Sequence, residues 1–108
     1  MRYDDFQQRL VDAVLQARGD TPDMLRRTIL EHARETPGAK GSLPPALTRY
    51  VDTVARHAYK VTDADVASLQ QGGQSDNALF EITVAAAVGA ALHRLDRGMA
   101  ALRGEEPD

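Results

Sequence analysis

Apolar residues along this 108-residue chain recur at spacings of three and four, and no run of β-branched and aromatic residues lies between turn signals. That pattern predicts helices and needs no strands. The first segment, from Asp4 to about Ala17, puts Phe6, Leu10, Val14 and Ala17 on one stripe, with Arg9, Asp12 and Gln16 facing away and Gly19 ending the helix. In the second, Thr21 is a natural N-cap, Pro22 fits the first helical position, Asp23 meets the positive helix end, and Leu25, Ile29 and Ala33 share a face. The turn-forming stretch "TPGAKGS", residues 36–42, separates this N-terminal hairpin, residues 1–35, from the rest. Beyond it, Leu47, Tyr50 or Val51, Val54 and Ala58 mark a third helix, opened by prolines after Ser42 or Leu43. Thr62 and Asp65 approximate a capping box for a short fourth helix through Val66 and Leu69, which Gly72 and Gly73 stop. Ser75 caps the longest element, Asn77 to about Leu102, and the tail "RGEEPD" is expected to fray. The expectation is an all-α fold, a compact bundle of about five helices in a single domain over residues 1–108. A chain of this length buries roughly two-thirds of its unfolded surface but does not hold two cores.

The final helix narrows the picture. Ala85, Ala86, Ala87, Gly89, Ala90 and Ala91 leave almost no side-chain relief over two turns, so another backbone is expected to come close. A glycine inside a helix costs about 1 kcal/mol relative to alanine, which a short-range helix crossing at Gly89 would explain. Helix three or a neighbouring subunit is the expected partner, and Ala85, Ala86, Gly89 and Ala90 are the expected oligomer interface. The run "VAAAVGAAL", Val84 to Leu92, is only half of a membrane span and reads as a packing surface rather than an anchor.

Charge and composition then exclude several classes. With 13 Lys plus Arg against 16 Asp plus Glu, a formal charge of −3 gives no sustained positive field for a phosphate backbone, so no nucleic-acid partner is expected. The absence of cysteine removes disulfides, thiolate metal sites and thiol nucleophiles. The opening "MRYDDFQQRL" has neither an apolar signal core nor a transit-peptide composition, and a cytoplasmic protein is expected. His32 and His93 belong to unrelated segments without metal-ligand spacing, and no phosphate loop, nucleophile elbow or dinucleotide fingerprint occurs, so neither a metal nor a cofactor is expected.

From about Leu43 to Leu102 the sequence "YVDTVARHAYKVTDADVASLQQGGQSDNALFEITVAAAVGAALHRLDRGMAAL" resembles the carboxymuconolactone decarboxylase and AhpD-like alkylhydroperoxidase superfamily. In that family a helix leads into a CxxCxxxH motif and continues to a glycine. A small polar cap, an acidic-hydrophobic turn and an alanine-rich final helix follow. Counting back from Gly73 places the family's histidine on Asp65, its cysteines on Val61 and Ala58, and its upstream glutamate on Ala46. All the chemical positions are replaced, and thiolate peroxide reduction needs a low-pKa sulfur with a second thiol to resolve it. The resemblance therefore implies the scaffold, residues 43–102, whose relatives assemble as trimers or hexamers. It implies a cysteine-less, non-peroxidase protein serving as an oligomeric scaffold or as an accessory that binds a small molecule or a protein.

The alternative is a cofactor-free acid–base enzyme of the decarboxylase type acting on a small carboxylate or lactone, which requires its groups to converge on one pocket. His57 would then act as a general base with Tyr59 beside it, and Glu81 would carry a proton from within the apolar opening of the last helix. Arg49, Arg56 and Asp65 are the candidate ligand-binding residues. Each has a structural reading as well: His57 at its own helix C-terminus, Tyr59 half-burying its ring, Glu81 pairing with a cation across the bundle, Asp65 capping with Thr62.

Overall fold

The apolar spacing resolves into five α-helices and one turn of 3₁₀ helix. The computed structural model describes residues 2–16 and 19–104. The order is α1 (Arg2–Gln16), α2 (Asp23–Arg34), α3 (Pro45–His57), the 3₁₀ turn (Ala58–Lys60), α4 (Asp63–Gln71) and α5 (Asp76–Leu102), with no strand among the described residues. The all-α bundle with a long last helix is therefore the fold. α5 is its spine: its 27 residues extend about 40 Å at 1.5 Å per residue, close to the 46 Å length of the molecule. α2 makes the most extensive contact with it and α3 the next. Ile29, Val51 and Ile82, all at 0 % exposure, are the centre of the core these three helices share.

Local caps fall where short-range chemistry puts them. The Thr62 hydroxyl accepts from the Asp65 amide at 3.2 Å and the Asp65 carboxylate accepts from the Thr62 amide at 2.9 Å, so both halves of a capping box open α4. Asp65 thus has its capping role, with one carboxylate oxygen on the Thr62 amide. Thr62→Ala is expected to cost about 1 kcal/mol in urea denaturation, and adding Asp65→Ala to it less than the sum of the two singles. Ser75 opens α5 by accepting from the Ala78 amide, while its own hydroxyl donates to Asp20 at 2.8 Å.

Elsewhere long-range contacts override the local pattern. α2 begins at Asp23 with Pro22 at the cap position, where no side chain bonds the helix end. Thr21, expected as that cap, is instead 7 % exposed with its hydroxyl turned to Glu81. α1 is rotated from its expected stripe: Phe6 and Leu10 are 61 % and 37 % exposed, whereas Leu15 is buried and Val11, Asp12 and Val14 are half-buried. Polar anchors set this rotation, because Arg26 takes the carbonyls of Val14 and Leu15 and Arg34 reaches Gln7. Ala17, the last member of the expected stripe, lies outside the described residues. Ala58 leaves the α3 face and sits exposed in the 3₁₀ turn.

The close helix crossing at Gly89 exists, but its partner is α2 of the same chain rather than helix three or another subunit. A Cβ on Gly89 would overlap the Leu30 carbonyl oxygen and come within 2.9 Å of the Ala33 methyl and 3.1 Å of the Arg34 amide. Ala85, Ala86 and Ala90 are buried with it. The four residues expected at an oligomer interface are therefore covered within the chain. α5 is long and apolar enough by length and composition to cross a membrane, and 44 % of that stretch is buried inside the bundle.

Candidate functional site

Glu81 sits at a polar junction that ties α1, α2 and α5 together. Its side chain is 15 % exposed. The carboxylate accepts from the amides of Asp20 at 2.7 Å and Thr21 at 2.9 Å, from the Thr21 hydroxyl, and from Arg26 at 3.3 Å. The Thr21 hydroxyl, ahead of the two amides and the Arg26 charge, holds the carboxyl below the ordinary glutamate range against the opposing effect of burial. Gly19 makes room for this, since a Cβ there would overlap the Glu81 carboxylate. Arg26, 2 % exposed, donates to the carbonyls of Val14, Leu15 and Thr21 and pairs with Asp23 at 2.6 Å. An ionised carboxylate with its lone pairs so occupied holds the chain together; it has no proton to exchange near neutral pH.

The other catalytic candidates do not join it. Tyr50 meets Thr83 through their hydroxyls at 2.7 Å, and Arg94 donates to the Ala55 carbonyl at 3.1 Å, so α3 runs beside α5 in the same direction. The end of α3 is therefore near residue 94, about 20 Å along the helix from Glu81 at 1.5 Å per residue. His57 and Tyr59 are exposed there, their rings edge-on at 5.9 Å, with the Lys60 ammonium 5.8 Å from the Tyr59 ring centre. Arg49 and Asp65 share a crevice of about 80 Å³, too small for an organic ligand. Of the three expected binding residues, Arg56 alone reaches a groove of useful size.

That groove, about 280 Å³, lies where the C-terminal halves of α2 and α3 meet α5. Ala33, Ala55 and Ala90 form its floor, and each is at most 8 % exposed. Two histidine–carboxylate pairs stand on its rim. His32 Nε2 is 2.8 Å from Asp52, with both side chains 39 % exposed. His93 Nδ1 is 3.0 Å from the Arg34 carbonyl and its Nε2 is 3.1 Å from Glu35. Both ring nitrogens of His93 thus face acceptors. Glu35 holds its carboxylate there from a left-handed backbone, φ 59°, at the C-terminal cap of α2, where glycine is the usual occupant. Sequence spacing gave no signal for this cluster, because 20 residues separate His32 from Asp52 and only the α2–α5 crossing carries His93 to the same place. No group of three or more His, Cys, Asp or Glu suited to a metal ion occurs among the described residues.

A wider trough of about 850 Å³ opens between the start of α1 and the end of α5. Its central charges are already matched, Arg34 holding both oxygens of Asp96 at 2.8 Å, which raises the Arg34 pKa.

The remaining surface feature is the outer side of α5. Phe80, Leu95 and Leu102 are 67 %, 41 % and 82 % exposed. Ala87, Ala91 and Gly98 are exposed between them and Val84 is half-buried, making one apolar stripe away from α2 and α3. Comparison with protein-family models, curated proteins and solved structures finds no match to this chain.

Proposed function

We propose that the protein is a non-catalytic helical scaffold that pairs with a second copy of itself through the outer face of α5, keeping the architecture of the family it resembles without that family's chemistry. The apolar stripe of α5 carries this reading. Phe80, Ala91 and Leu102 recur every eleven residues, as do Val84 with Leu95 and Ala87 with Gly98. An eleven-residue period stays on one side of a nearly straight helix.

The sizes along the stripe also suit a second copy. If two α5 helices cross antiparallel about Ala91, Ala91 meets Ala91, Leu95 meets Ala87, Gly98 meets Val84 and Leu102 meets Phe80. Bulky residues then face small ones near the axis, where backbones approach most closely, and face each other only at the ends, where helices diverge. A two-fold, self-complementary contact closes on itself. This places the oligomer interface one helix face away from the four residues first expected, and favours a pair over the trimer or hexamer that the resemblance implies. The stripe contains no charged residue, which removes the desolvation cost that charges would impose on pairing.

Light-scattering chromatography tests the reading. Twice the chain mass is expected for the wild type and the single-chain mass for Ala91→Glu, with the helical circular dichroism of both unchanged because Ala91 is exposed. A wild-type monomer overturns the proposal, as does a dimer indifferent to Ala91→Glu. Flotation of the wild type with vesicles while it remains monomeric would assign the stripe to a lipid surface instead.

A further inference from the structure

The rim of the groove between α2, α3 and α5 carries two guanidinium groups that no carboxylate neutralises. Arg94 lines it with one nitrogen fixed on the Ala55 carbonyl, a helix-end acceptor, which orients the side chain and leaves its other donors open. Arg56 lines it from the last turn of α3 and makes no hydrogen bond or ion pair among the described residues. The acidic residues facing the same space are engaged elsewhere: Asp52 with His32 and Glu35 with His93. A second hollow of about 310 Å³ shares His32, Glu35 and Arg56 as a common wall and adds Glu31. Arg56 and Arg94 balance Asp52 and Glu35 on the rim of the first hollow, on a chain whose formal charge is −3.

We propose that this groove binds a small organic oxyanion, a carboxylate or a phosphate ester, between Arg56 and Arg94, with its compact carbon body on the floor of Ala33, Ala55 and Ala90. Guanidinium forks match the paired oxygens of either group, and a partly enclosed site strengthens each contact. The two histidine–carboxylate pairs serve the site by keeping Asp52 and Glu35 turned away from the anion. Arg94 provides the prepositioned half of the clamp and Arg56 the mobile half. The volume admits a body of a few carbons and excludes a nucleotide. The groove's residues, Ala90, His93 and Arg94 of α5 among them, all come from one chain, so binding needs no second copy.

The test is an amide chemical-shift titration of the full chain with succinate, acetate and inorganic phosphate, each matched to sodium chloride at equal ionic strength. Saturable shifts are expected around Ala33, Ala55 and Ala90, absent with chloride. Arg56→Gln is expected to weaken binding about tenfold, the loss of roughly one charge-assisted hydrogen bond, and Arg56→Gln with Arg94→Gln to abolish it. Arg49→Gln, in the separate crevice, should leave it unchanged. The single Arg56 variant secures the test if the double variant is unstable, since Arg56 makes no hydrogen bond or ion pair among the described residues. Preference for phosphate over the carboxylates would assign the site to phosphate esters, and the reverse preference to organic acids. Shifts no larger than those with chloride, or unaffected by Arg56→Gln, overturn the proposal.

Discussion

Arg26→Ala is expected to destabilise the protein by about 4 kcal/mol in urea denaturation, among the largest effects available to a single substitution in this chain. The guanidinium is 2 % exposed and donates to carbonyls of Val14, Leu15 and Thr21 while facing Asp23 and Glu81. Truncation leaves the last carbonyls of α1 without these donors and strands Glu81 near the interior without its cation, and each buried polar group left unpaired costs about 1–3 kcal/mol. α1, whose large apolar residues Tyr3 and Phe6 are mostly exposed, packs mainly through its last turns, where Leu15 is buried, so its amides should lose exchange protection before those of α5. Arg26→Lys should retain less than half of the stabilisation, because one ammonium does not reproduce a fork spread over three carbonyls and two carboxylates. The pH dependence follows from the other end of the pair. A carboxyl held below its unfolded value contributes stability that is fully present above the ordinary glutamate range and is lost as pH falls through the folded value. Wild type should therefore lose stability from about pH 4.3 downward, and the gap between wild type and Glu81→Gln should be widest at neutral pH and narrow as the acid limb is descended. A gap constant with pH would assign the Glu81 contribution to shape rather than charge.

This junction also shows which parts of the structure are legible in the sequence. The caps of α4 and α5 are, because Thr62 bonds Asp65 and Ser75 bonds Ala78 within three residues, a distance at which local chemistry decides. The length of α5 and the close approach at Gly89 are too, since glycine in a helix interior has a cost that needs a reason. The rotation of α1 is not. Its sequence carries apolar residues around more than half of the helix, and the choice between faces is made by Arg26 and Arg34 from another helix. Thr21 reads as a cap and serves as a donor to Glu81, 60 residues away. The rim of the groove is illegible for the same reason. His32, Asp52, His93 and Arg94 share no motif, and only the crossing of α2 over α5 with α3 alongside makes them neighbours. Functional chemistry in a small helical bundle is thus set by crossing points, which periodicity locates one helix at a time and never in pairs.

Gly89→Ala and Gly98→Ala, nine residues apart in one helix, are expected to change stability in opposite directions. Both exchange glycine for the best helix former, a gain of about 1 kcal/mol where space allows. At Gly98 nothing lies within 4 Å of the added carbon, so Gly98→Ala should stabilise the folded monomer by up to that amount. At Gly89 the same methyl overlaps the Leu30 carbonyl and crowds the Ala33 methyl and the Arg34 amide. Two of those three neighbours are backbone, which cannot rotate aside as a long side chain does, so α2 must move off α5 along the line where Ile29, Ala85 and Ala86 are packed without exposure. Separating a close-packed interface by even a fraction of an ångström forfeits contacts along its whole length. Gly89→Ala should therefore cost about 3 kcal/mol despite the propensity gain, and Gly89→Leu should prevent stable folding. The comparison belongs in the Ala91→Glu background, where pairing through the α5 stripe is removed and the two values report the internal crossing alone. Equal effects at the two glycines would mean that α2 does not approach α5 at Gly89, and the spine of the fold would have to be redrawn. A loss confined to Gly89 fixes α2 as the element that the small residues of α5 exist to receive.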